Sequence, residues 1–113
     1  MGQVNTLAHS ITMTIEDCPH MSKDLATWQM RCILEELFHI NDRIIQGDCS
    51  SWGGLKKAQT FLADHQASLQ SLPGMVEAWV QVSSAYGGFV QISWRFTWND
   101  GETQRGNCVP VRK

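Results

Sequence analysis

A few groups of side chains in this 113-residue chain have types and spacings that invite chemistry, and each falls short in a specific way. Glu36-Leu37-Phe38-His39 holds E-x-x-H, the helical spacing that lets a carboxylate and an imidazole share a metal ion. A di-iron bundle uses that motif twice and adds two further glutamates over four helices. Here it stands alone, so Glu35, Glu36, His39, Asp42 and Arg43 read as a solvated helix face with i,i+3 and i,i+4 pairs. Cys18-Pro19-His20, with His9 upstream, sets two zinc-type ligands close together. Structural zinc takes four ligands, commonly as paired knuckles, and no second knuckle follows. Cys32 and His39 share a helix face but stand about 10.5 Å apart along it. A nucleophile and its base need contact of about 3 Å. Trp52-Gly53-Gly54-Leu55-Lys56-Lys57 brings glycines and lysines to a helix start, where free N–H groups attract anions. The full phosphate-loop pattern is missing, and lysine there opposes the helix dipole. His65 falls inside an apolar stripe, the usual place of a core histidine with one satisfied ring nitrogen. The expectation is therefore no catalytic set, no metal and no cofactor.

A different kind of signal comes from a pair of alternating segments. In Val76–Ser84, alternation sends Val76, Ala78, Val80 and Val82 inward and Glu77, Trp79, Gln81 and Ser83 outward. In Phe89–Trp98, Val90, Ile92, Trp94, Phe96 and Trp98 form one face and Gln91, Ser93, Arg95 and Thr97 the other. A tryptophan beside an arginine and several amides on the wet side of a sheet has the makeup of a recognition surface, since Trp and Arg dominate interface hot spots. Trp79, Gln81, Gln91, Arg95 and Tyr86 are the candidate binding residues, with Thr12 and Thr14 adjoining. The competing expectation is that Trp79 packs beneath the C-terminal segment.

The elements that must position these residues are legible in outline. Ser10–Glu16 alternates as a half-buried strand that Asp17-Cys18-Pro19 ends. Ser22 is the expected N-cap of a helix whose stripe runs through Ala26, Met30, Ile33, Leu37, Ile40 and Ile44, widened by Leu34, Phe38 and Ile45 and stopped by Gly47. Ser50 or Ser51 caps a second helix with Leu55, Ala58, Leu62, His65, Leu69 and Leu72 on one face, closed by Pro73-Gly74. Ala85–Gly88 and Asn99-Asp100-Gly101 are hairpin turns, and residues 102–109 supply an edge strand. The order β-α-α-β-β-β predicts one α+β domain over 1–113: a two-layer sandwich with an antiparallel sheet of three to four strands and two antiparallel helices on one face. The first strand is expected beside 76–84 or beside 89–98.

Composition narrows function further. The chain carries a net charge of −2, with three basic against seven acidic residues in the first 48 and a short basic tail of Arg105, Arg112 and Lys113. Phosphate binding needs concentrated positive charge, so nucleic acid is not the expected partner. MGQVNT fits the pattern for a myristoyl chain on Gly2, yet the first basic residue is Lys23, and stable anchoring needs a second signal. No membrane association is expected. The four cysteines, with no apolar leader before them, point to free thiols in a reducing cytoplasm.

These observations favour a small non-catalytic protein-interaction or regulatory module, acting through the open sheet face or a sheet edge, as a homodimer. In topology alone, residues 10–109 resemble RelE/ParE-type toxins, which cleave mRNA on the ribosome or act on gyrase. That resemblance implies a ribonuclease alternative with Tyr86, Arg95, Arg105 and Arg112 in the corresponding half. A ligand pocket between helices and sheet, lined by Trp94, Trp98 and His65, is a third expectation.

Overall fold

A computed structural model describes residues 19–112. Helix α1 spans Pro19–Ile45 and helix α2 Ser51–Gln70; strands β1 (Met75–Ser84), β2 (Val90–Trp98) and β3 (Thr103–Cys108) follow. The strands form one antiparallel sheet in the order β1-β2-β3, with both helices on one face, so the fold is α+β in two layers. The expected strand at 10–16 lies outside the described residues.

The core joins the helix stripes to the inner face of the sheet. Ala26, Met30, Ile33, Leu37 and Ile40 of α1 and Ala58, Leu62 and Leu69 of α2 meet Ala78, Val82, Val90, Ile92, Phe96 and Trp98. Trp98 is 2% exposed and Trp94 packs partly against this core, as the alternation of 89–98 predicts. Trp94 lies flat over Gly106, its cross-strand partner; a Cβ there would sit 2.5 Å from the indole. A glycine in the edge strand is thus the seat of a large ring. Gly54 has a similar role between helices: a Cβ would lie 2.8 Å from Ile44 and 3.0 Å from Ile40.

Three local expectations are corrected. Val76 points outward and is 58% exposed, because the β1–β2 register shifts between Met75 and Glu77. The extra residue of such a bulge turns one side chain over, and Met75 takes the inward place. Helix α1 already includes Pro19, three residues before Ser22. Ser22 is consequently inside the helix and buried rather than capping it. Ile45 is exposed at the helix end. The second helix is capped as expected, with Ser50 Oγ accepting from Gly53 N–H at 3.0 Å.

Helical amide side chains finish what the sheet leaves unpaired. Strand β3 stops pairing at Ile92, so the main chain of Val90 lacks a strand on that side. Asn41 of α1 takes its place: Oδ1 accepts from Val90 N–H at 2.8 Å, and Nδ2 donates to Val90 O at 3.1 Å and Pro110 O at 2.9 Å. On the opposite edge, Gln70 of α2 accepts from Ala78 N–H at 2.9 Å and donates to Val76 O at 3.2 Å. Gln66 donates to Ala78 O.

The Asn99-Asp100-Gly101 turn anchors the start of α1. Gly101, at φ 92°, closes a three-residue loop in which Trp98 N–H donates to Glu102 O. Lys23 Nζ reaches Asp100 at 2.6 Å and Glu102 at 2.5 Å. The hydrogen bond that Lys23 donates to Asp100 raises the Lys23 pKa, aided by the one to Glu102, and lowers that of Asp100. A depressed carboxylate stabilises the fold above its ordinary 3.8 and loses that contribution as pH falls through the lowered value. A raised lysine stabilises below its ordinary 10.5 and loses it as pH rises through the raised value. Melting temperatures should therefore fall at both extremes, and Lys23→Met should flatten both limbs; equal limbs in the variant would contradict the assignment.

Candidate functional site

The outer face of the sheet is built from the side chains that alternation turns away from the core. Register places them in rows across the strands. Glu77 lies opposite Thr97 and Thr97 opposite Thr103; Trp79 lies opposite Arg95 and Arg95 opposite Arg105; Gln81 lies opposite Ser93 and Ser93 opposite Asn107. Trp79 is 38% exposed, and the Arg95 guanidinium sits 5.5 Å from its ring centre. Arg95 also reaches Glu77 at 3.7 Å. Such exposed contacts are worth about 1 kcal/mol or less each. Together they set the guanidinium between the indole and the Glu77 carboxylate.

Arg105 completes the row and forms no ion pair among the described residues. Like charges directly opposite one another on a sheet repel, and Glu77 compensates only Arg95. The row Trp79–Arg95–Arg105 thus presents one apolar ring and an incompletely neutralised pair of guanidinium groups. An open depression of about 400 Å³ lies over it, with Ser93 and Asn107 adding polar groups. The C-terminal segment does not cover this face. Pro110 is buried against Asn41, and Arg112 binds Glu35 at 2.6 Å and stacks on Phe38, all in the helical layer.

The candidate residues divide accordingly. Trp79, Gln81 and Arg95 share the outer face, and Gln91 lies on it, half-buried opposite Ser83. Tyr86 is fully exposed in the β1–β2 turn, about 17 Å or more along the strand from Trp79, and does not join the row. Thr12 and Thr14 lie outside the described residues. Alternation alone located Trp79 and Arg95. Arg105 needed the β3 register, which sequence did not supply. Two other tryptophans, Trp28 and Trp52, are more exposed than Trp79. Trp52 is paired with Lys56 at 5.3 Å, and Trp28 lies on a helical stripe with Met21 and Leu25.

Among the described residues no three metal-capable side chains converge. Cys32, Cys49 and Cys108 are free thiols, and partial burial pushes the Cys108 thiol pKa up, away from nucleophilic use. Cys18 and His9 lie outside the described residues. His65 packs against Phe61, ring centres 4.6 Å apart. Trp94 lines a cleft of about 280 Å³ between α1 and the sheet, which neither Trp98 nor His65 lines. Of the four toxin-like positions, Arg95 and Arg105 are on the outer face, Arg112 is in the helical layer and Tyr86 at a turn. No described helix is long and apolar enough to cross a membrane. No family model matches the chain, and neither the curated proteins nor the solved structures compared with it give a match.

Proposed function

We propose that this protein is a non-catalytic interaction module that engages a protein partner through the side of its sheet that no described residue covers, anchored at Trp79. The observation that carries this reading is the row Trp79–Arg95–Arg105, which crosses all three strands on a face that neither helix nor the C-terminal segment covers. A complementary partner presents an apolar side chain to the indole and a carboxylate to the guanidinium pair. A second copy docked through the same face by a two-fold axis would set arginine rows against each other, so an unlike partner fits better.

The test uses the purified chain as bait, with Trp79→Ala and the double variant Arg95→Glu/Arg105→Glu as controls. Loss of a central tryptophan anchor costs about 2 kcal/mol or more, roughly thirtyfold in affinity. Captured proteins should be reduced to that extent with Trp79→Ala and lost with the charge reversal. Unchanged capture by both variants would contradict the reading, as would cleavage of a model RNA that Arg95→Ala abolishes.

A further inference from the structure

The cleft of about 280 Å³ between α1 and the sheet has a lining of two kinds. Met30 and Leu34 of α1 and Trp94 and Phe96 of β2 form its apolar part. Its charged part is of one sign, from Arg31 and Arg105. Neither arginine forms an ion pair among the described residues; Glu35, one turn on from Arg31, is engaged by Arg112 at 2.6 Å. Gln104 gives its Oε1 to the Trp98 indole N–H at 2.9 Å, so the group it has left is an NH2 donor. Thr27 completes the lining, its hydroxyl donating to Lys23 O at 3.0 Å. No described carboxylate lines the cleft. Two other depressions lack this combination. The groove of about 440 Å³ beside α2, walled by Gln59, Leu62 and residues 79–82, carries no charged side chain. The depression between Glu36 of α1 and Lys56, Lys57 and Asp64 of α2 mixes both signs, so its charges compensate one another.

We infer that this cleft binds a small amphipathic carboxylate, an organic acid with its apolar body between Leu34 and Trp94 and its carboxylate on Arg31 and Arg105. Small-ligand sites are in general apolar with a few placed polar groups, and their volumes run from about 300 to 1,000 Å³. A cleft at the low end of that range suits a body of one ring or a short chain. Guanidinium is the side chain matched to a carboxylate, because its fork meets both oxygens. A neutral apolar ligand would leave both arginines without a partner, and inorganic phosphate would leave the apolar walls in water. The site is separate from the outer-face row: Trp94 and Arg105 line both, whereas Arg31 and Leu34 belong to the cleft. The chain before Pro19 carries two acids, Asp17 and Glu16. From Pro19 to Arg31 the helix rises about 18 Å, whereas three extended residues span at most about 10 Å. Glu16 would come near Arg31 only if drawn straight back along the helix, and no acid stands behind it in the sequence. A free acid needs no such path.

The experiment titrates the full, isotope-labelled chain with phenylacetate, cinnamate and octanoate, and with the primary amide of each, followed by protein NMR. At least one acid should shift the Leu34 methyl and Trp94 indole N–H resonances saturably, and its amide should bind at least tenfold more weakly. Arg31 is exposed, so Arg31→Gln keeps the fold, and it should weaken the acid at least fivefold. Leu34→Trp, which fills the cleft, should abolish binding; should that variant misfold, Arg31→Gln and the amides decide. Arg95→Glu, on the outer face, should leave the acid's affinity unchanged. The inference is overturned if no acid shifts these resonances by about 10 mM, or if the amides bind as well as the acids. Binding that Arg95→Glu abolishes and Arg31→Gln does not would overturn it too, by placing the acid on the outer face. So would contacts in the free chain between residues 10–16 and Leu34 or Trp94, which would show the cleft filled by the chain itself.

Discussion

Replacing Asn41 with leucine should destabilise the fold by about 3–5 kcal/mol, the largest effect expected of any polar substitution here. Asn41 is 0% exposed, and its three hydrogen bonds all go to main-chain groups of the sheet and the C-terminal segment. Leucine would fill similar space but leave Val90 N–H, Val90 O and Pro110 O in the interior without partners. Each such orphan costs about 1–3 kcal/mol. In a domain of this size the melting temperature should fall by roughly 15 °C. Asn41→Asp keeps one acceptor, loses both donors and buries a charge, so it should be no milder. A fall of only a few degrees for either variant, read by calorimetry, would show that water replaces the asparagine and that α1 does not terminate the sheet in this way.

The double variant Gln66→Ala/Gln70→Ala should have two effects at once. Stability falls by about 2 kcal/mol, because three hydrogen bonds are lost from main-chain groups only partly reachable by water. The whole outer edge of β1 then stands open, and long uncharged edges promote pairing between chains. Sedimentation should accordingly show more concentration-dependent association than the parent chain shows. A variant that melts like the parent and does not associate would mean that the glutamines are ornaments on an edge protected by other means.

These two variants also mark where sequence reading stops. The alternation of Val90–Trp98 specifies the orientation of every residue in β2, because period two is fixed by backbone geometry and all five apolar side chains are large. Both helical stripes are legible for the same reason, at period 3.6. Val76 departs from the alternation because a bulge adds a residue with no compositional mark. Ser22 has the chemistry of a cap, yet the helix already includes Pro19 and Ser22 is buried within it. Asn41 reads from sequence as one more polar residue before Asp42; only the ending of β3 near Ile92 makes it structural. Gln59, Gln66 and Gln70 recur on one face of α2 at steps of seven and four, a signal that was present and is informative once β1 is known to lie alongside. Trp79 and Arg95 could be paired from alternation, whereas Arg105 joins them only through a register set by the Asn99–Gly101 loop.

The outer face and the β1 edge meet at Trp79, which borders both the depression over the arginine row and the groove beside α2. The glutamines divide that edge into a half they bond and a half that no described side chain bonds.

Amide hydrogen exchange along β1 in the free protein tests this division most directly. The account predicts slow exchange at Trp79, Gln81 and Ser83, which bond to β2, and at Ala78, which bonds to Gln70, against fast exchange at Val80, Val82 and Ser84. Protection of Val80 and Val82 equal to that of their neighbours would show the edge already covered and would contradict it.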